Sequence, residues 1–293
     1  MPTLSTPNIE QNWRRKNIRN TFPPAQPAVH LILKRLAEPV RLLMQWSGAF
    51  GPKRHGRRLN AGTAVTNGKG CDVKMSLVMA IANKEGIVVS GDWRLTLKRT
   101  NRETNECTSV KYDDSAQKIF MAENGHVFGL TGQAGTSGWK YTDDLLYELV
   151  KDIHKEHLTL EQELIYIRDK LKYRVALPIH LLAAGIEDRK NLIYRTSTDV
   201  NEAEIVSKTD GTYGGDAIGV YTVAINLMKE SGQHTYDMSL SDLMDFMKEI
   251  NVATSRALTD IRSVSEECDF IVISPEYGAR WFVEDEQRRY KIK

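Results

Sequence analysis

The stretch that most limits how this chain can fold is 75–92, Met-Ser-Leu-Val-Met-Ala-Ile-Ala-Asn-Lys-Glu-Gly-Ile-Val-Val-Ser-Gly-Asp. Two short apolar runs, 77–82 and 87–89, flank Asn83-Lys84-Glu85-Gly86. Apolar runs around a Gly-bearing tetrapeptide predict two strands joined by a tight turn. Such a hairpin brings Ser76 close to Asp92 and Arg94, about one strand length from the turn. A hydroxyl at the head of a strand, facing a carboxylate and a guanidinium, is an arrangement chemistry can use. It also suits a core hairpin with a polar end.

The 293 residues suffice for one large domain or two small ones, and 41% hydrophobic with 27% charged residues is ordinary for a soluble globular protein. No run approaches the roughly 20 apolar residues that span a bilayer. Three cysteines, Cys71, Cys107 and Cys268, give neither a disulfide framework nor metal-site spacing, which fits a reducing, cytoplasmic setting. The net charge of +2 conceals a division. Residues 1–74 carry thirteen Lys and Arg against three acids, a charge of +10, and seven of the nine prolines. Residues 75–293 carry 27 basic against 35 acidic residues, a charge of −8. Residues 1–74 are therefore expected to be a basic, Pro-containing extension, and 75–293 the folded domain. The extension is open to three readings: a transit peptide, a nucleic-acid-binding arm, or sequence preceding a true start at Met75.

Along the domain, 95–112 is polar and Thr-rich and reads as an extended hairpin or loop. Residues 116–121 and 126–131 are short strands about a turn that places His126 at its exit. A helix follows, capped at Thr136 or Ser137, then a second from Thr159, where Gln162 completes a capping box. Strands are expected at 179–186 and 191–196. A glycine cluster at 211–215 precedes a helix over 216–229, Ser239 or Ser241 caps a fourth helix reaching 258, and 270–274 with 280–283 closes the chain. Grouped strands alternating with paired helices predict antiparallel sheets covered by helices, an α+β protein rather than repeated βαβ units.

Several pieces now fall in order: Gly86-Ile-Val-Val-Ser-Gly-Asp92-x-Arg94, Lys118-Ile119, Leu130-Thr-Gly132-Gln-Ala-Gly135, Ala183-x-Gly185, Gly214-Gly215 and Asp260-x-x-Ser263. In order and largely in spacing they resemble the proteasome β-subunit family of N-terminal-nucleophile (Ntn) hydrolases. The resemblance implies a four-layer αββα sandwich. Counting back from Asp92 without gaps, it puts the nucleophile on Ser76. It further implies that Lys118 lowers the hydroxyl's pKa, Asp92 holds Lys118, the Gly132 N–H receives the oxyanion, and Asp260 and Ser263 orient the α-amine and a water. Serine stands where the family usually has threonine, Gly214-Gly215-Asp216 where it has a serine among glycines, and Val264 where a glycine follows the late serine.

No histidine sits in these motifs, so the base implied is the α-amine of Ser76, whose reference pKa of about 7.7–8.0 suits neutral pH. The expected protein is thus a proteasome-like amide or peptide hydrolase, cytoplasmic and homo-oligomeric as a ring or helical stack, without cofactor, metal or membrane. Its substrate is a peptide or protein, and an unfoldase partner is left open. The alternative is an inactive structural subunit of the same assembly. Three other features carry less. Gly70-Cys71 misses the strand register by five residues, His154 and His157 suit a solvated helix face, and the basic arm with Trp13 and Trp46 lacks a nucleic-acid module.

Overall fold

The hairpin forms where the two apolar runs and the turn place it. In the computed structural model, β1 (Leu77–Asn83) and β2 (Gly86–Asp92) pair antiparallel, Val78 opposite Gly91 and Asn83 opposite Gly86. The Asn83 side-chain oxygen accepts the N–H groups of Glu85 (2.9 Å) and Gly86 (3.2 Å), which closes the turn. The structure describes residues 76–100, 107–114, 116–132, 141–153, 158–175, 177–200, 204–209, 214–258, 263–284 and 290–292. The 1–74 extension, Cys71, Thr136, Ser137, His154, His157 and Asp260 lie outside them.

Strands β3 (Leu95–Thr100) and β4 (Cys107–Asp113) make a separate two-stranded ribbon, the hairpin expected at 95–112. Next come β5 (Ile119–Met121) and β6 (Val127–Gly132), then the helices α1 (Thr142–Ile153) and α2 (Leu160–Lys172). Four strands follow: β7 (Ile179–Glu187), β8 (Lys190–Ser197), β9 (Glu204–Thr209) and β10 (Gly214–Gly219). Helices α3 (Tyr221–Thr235) and α4 (Leu240–Ala257) precede β11 (Cys268–Ser274), β12 (Gly278–Glu284) and β13 (Tyr290–Ile292). One sheet runs β10-β1-β2-β11-β12-β13 and the other β5-β6-β7-β8-β9, every pairing antiparallel. The protein is a mixed α+β structure with two antiparallel sheets. Among the described residues, no helix is long and apolar enough to cross a membrane.

The period of two in a strand sends alternate side chains to opposite faces, and both sheets use it. Val78, Ala80, Ala82, Ile87 and Val89 of the first sheet meet Ile119, Val127, Leu182, Ala184 and Ile193 of the second in one buried cluster. On its other face the second sheet presents Phe128, Leu130, Leu181 and Ala183 to Leu146 and Val150 of α1 and Leu164, Ile167 and Leu171 of α2. Burying each such large side chain contributes about 1.5–3 kcal/mol. Helix α4 lies on β1, β2 and β11, and α3 on β10.

The caps explain why the helices start where they do. At α2 the Thr159 hydroxyl accepts from the Gln162 N–H while the Gln162 side chain accepts from the Thr159 N–H, the expected capping box. At α4, Ser239 rather than Ser241 is the cap, in a reciprocal pair with Asp242.

Two expectations fail. Residues 216–219 are strand, not helix: the segment pairs with β1, Ala80 opposite Asp216, and α3 begins only at Tyr221. A side chain at Gly215 would fall 2.9 Å from the Ala80 carbonyl oxygen, so glycine lets the strands close up, and pairing overrides the turn preference. His126 is more than a turn residue. Its Nδ1 lies 2.5 Å from Glu163 Oε2 on α2, and Asn124 Nδ2 donates to Glu163 Oε1 at 2.7 Å. Glu187 Oε1, 3.7 Å from His126 Nε2, also accepts the Leu160 N–H at 2.6 Å. Two turns of the second sheet are thereby fastened to one helix.

Candidate active site

The hairpin's open end places Ser76 immediately before β1 and Asp92 at the last position of β2. Asp92 Oδ1 accepts the Leu77 N–H at 2.7 Å and the Lys118 ammonium at 2.9 Å. Its Oδ2 accepts the N–H groups of Arg94 at 2.9 Å and Ser265 at 3.2 Å. One carboxylate thus gathers the start of β1, the end of β2, the entry to β5 and the loop before β11. Ser76, Asp92 and Lys118 are 6%, 1% and 5% exposed, so all of this takes place out of bulk water.

Lys118 Nζ also donates to the Arg94 carbonyl. Burial drives the Lys118 pKa below its ordinary value, and the facing Asp92 charge and hydrogen bond oppose that shift without cancelling it. An amine so placed can hold its proton on Asp92 or release it more readily than a surface lysine. Asp143, in the first turn of α1, was not anticipated. Burial raises its pKa, while Lys118 acts in the opposite sense across the site.

Arg94 differs from expectation. Its guanidinium turns to Asp114, with Nη2 2.5 Å from Oδ2 and Nε 2.6 Å from Oδ1, and Nη1 reaches the Val264 carbonyl at 3.3 Å. Its backbone N–H is the group that hydrogen-bonds Asp92. The guanidinium holds the Asp114 carboxyl below the usual range. The loop carrying Ser263 is fixed by α4 as well: the Ser255 hydroxyl donates to the Val264 carbonyl (2.8 Å) and Asn251 Nδ2 to the Ser265 carbonyl (2.9 Å). Ser263 is 1% exposed, and its hydroxyl has no hydrogen-bond partner among the described residues. Arg94, Asn251, Ser255 and Ser265 act here largely through or upon backbone groups, which leave no residue pattern to read.

Glycines let the sheets close around Ser76. Gly219 has φ +90°, and a Cβ there would land inside the Ser76 carbonyl oxygen and 3.1 Å from Thr131 Cγ2. That carbonyl accepts the Val220 N–H at 2.8 Å. The Thr131 side chain at the end of β6 therefore lies near the Ser76 carbonyl. Gly132 itself has φ +128°, and a side chain there would meet the Pro178 carbonyl oxygen at 2.7 Å. We expect Gly219→Ala to cost about 2–5 kcal/mol from backbone strain plus overpacking. Urea unfolding measures it, and a loss below 1 kcal/mol would show that the Ser76 carbonyl moves aside freely.

The structure joins Asp92 to Lys118 directly and sets Ser76 one residue before the Leu77 N–H that Asp92 accepts. The end of β6 that carries Gly132 lies near the Ser76 carbonyl, and the Ser263 loop is bonded to Asp92 through Ser265. Among the described residues, no group of three or more His, Cys, Asp or Glu is arranged to hold a metal ion. Neither models of known protein families nor curated proteins match the chain.

Proposed function

We propose that the chain is an amide hydrolase of the N-terminal-nucleophile class, similar to proteasome β-subunits, with Ser76 as nucleophile. Two antiparallel sheets with helices packed against each are compatible with the αββα sandwich of that class. The observation that carries the reading is the Asp92 oxygen shared by the Leu77 N–H and the Lys118 ammonium. It sets a buried cation beside the residue following Ser76, where a serine hydroxyl needs help to ionise.

In this reading the Ser76 α-amine takes the hydroxyl proton as Oγ attacks the substrate carbonyl. Lys118 lowers the pKa of that hydroxyl, and the Gly132 N–H receives the oxyanion, a contribution typically of several kcal/mol. The proton passes to the departing amine, leaving an ester on Oγ, which water attacks with the α-amine again as base. Asp260 and Ser263 orient that amine and the water. The substrate is a peptide or protein, and the enzyme works in the cytoplasm as a homo-oligomeric ring or stack.

The test is the end of the natural protein. Intact-mass measurement on protein from its own cell should give a chain beginning at Ser76, and an electrophilic peptide should leave its adduct on Ser76. A chain that carries residues before Ser76 and takes no adduct would instead make this a structural subunit of the same fold.

A further inference from the structure

The space between the two sheets changes character along its length. Over most of it the second sheet presents Val127, Leu182, Ala184 and Ile193. At one end the inner-face row becomes polar: Thr131 pairs with His180, and His180 with Ser197, so the three side chains share a face. Arg195, opposite Leu182, shares it too. That end holds a cavity of about 330 Å³, lined by His180, Arg195, Ser197, Asp199, Gly219 and Tyr221 among others. Such a volume falls at the small end of ligand pockets. Gly219 is both a wall of the cavity and the residue pressed against the Ser76 carbonyl.

Two buried hydroxyls of this row, Thr131 Oγ1 and Ser197 Oγ, have no hydrogen-bond partner among the described residues, and Ser197 lines the cavity at 6% exposure. Buried hydroxyls are nearly always paired, so this end is chemically incomplete. The charges decide what would complete it. Arg195 Nε faces Asp216 Oδ2 at 3.3 Å, and Asp199 stands exposed in the lining. An anion entering would meet the Asp199 carboxylate, and a cation the Arg195 guanidinium. An apolar group would leave the Ser197 hydroxyl unmatched. A neutral carboxamide both accepts and donates, and it suits both charges and the hydroxyl.

We propose that this cavity is a substrate pocket for a carboxamide side chain, glutamine or asparagine, adjoining the bond that Ser76 attacks. The proposal rests on the hydrolase reading for its substrate, but the binding it predicts is measurable without catalysis. Full-length Ser76→Ala protein is titrated by NMR with N-acetyl-glutamine amide, N-acetyl-glutamate amide and N-acetyl-norleucine amide. The glutamine compound should saturate, shift the amides of Ser197 and Gly219, and bind about tenfold tighter than the others. Adding Ser197→Ala should weaken it by about tenfold with the fold unchanged, since only an unpaired hydroxyl is removed. In the protein with Ser76 intact, quenched peptides with Gln or Asn beside the cleaved bond should show a lower KM, and Ser197→Ala should raise that KM at constant kcat. Equal binding of the norleucine compound, or no response to Ser197→Ala, overturns the pocket. Glutamine binding in a protein that hydrolyses nothing would overturn the hydrolase reading and leave the pocket standing. Hydrolysis without carboxamide preference would do the reverse.

Discussion

Ser76→Ala should abolish hydrolysis, by at least about 10⁴-fold, and covalent labelling with it, while the protein remains folded. The second half follows from what Ser76 contributes to the fold. Its carbonyl accepts the Val220 N–H and the next residue's N–H bonds Asp92, and both survive the loss of Oγ. Ser76→Thr should keep activity, since it keeps the hydroxyl. Lys118→Ala should approach the alanine change at Ser76, because it removes the ammonium that Asp92 Oδ1 holds beside the Leu77 N–H. A residue left in front of Ser76, or an acetyl group on its amine, should be as damaging as alanine, because an amide nitrogen has no basicity. Full activity from protein acylated at Ser76 would remove the N-terminal mechanism whatever the fold.

The second large effect is on stability. Asp92→Ala strips a buried ammonium of its counter-ion and the N–H groups of Leu77, Arg94 and Ser265 of their acceptor. Breaking a buried pair from one side costs about 3–5 kcal/mol, a large part of a typical domain's stability. Lys118→Met in the same protein removes the orphaned charge, so the double variant should recover part of that loss in a double-mutant cycle. Strictly additive losses would mean the two groups are not coupled. The pH dependence has a definite sign. Burial lowers the folded-state pKa of Lys118, so between that value and the unfolded value near 10.5 the unfolded chain binds more protons. Stability contributed by this site therefore rises with pH across that window and is diminished below it. Wild type minus Lys118→Met should gain stability as the pH approaches 10.5, and a flat difference would contradict the lowered pKa.

Much of the fold was legible in the residues because its signals are local. The β1–β2 hairpin is written in two apolar runs about an Asn-Lys-Glu-Gly turn, α2 in its capping box and α4 in its serine cap. What escaped reading depends on partners distant in sequence. Residues 214–219, Gly-Gly-Asp-Ala-Ile-Gly, carry breaker residues and become a strand only because β1 offers an edge that glycines can approach closely. Strand β9, Glu-Ile-Val-Ser-Lys-Thr, is half polar and is held by β8. Within the candidate site, the Asp92 and Lys118 side chains that pair could be named in advance from their motifs. The Arg94 and Ser265 amides that complete Asp92 could not, since every residue but proline has such a donor.

The Asp92 carboxylate has a consequence in time. Its four donors come from positions 77, 94, 118 and 265, the last 173 residues beyond it. During synthesis the hairpin and Lys118 emerge long before the loop that supplies Ser265 and, through Val264, the seat of Arg94. Until that loop arrives the carboxylate lacks one of its amides, and the lysine is not yet sealed from water. Its pKa then stays nearer that of an ordinary surface amine. The depressed basicity is therefore acquired late, with the loop that leads into β11. A nascent chain carries Asp92 and Lys118 for most of its synthesis without the surroundings that bury them.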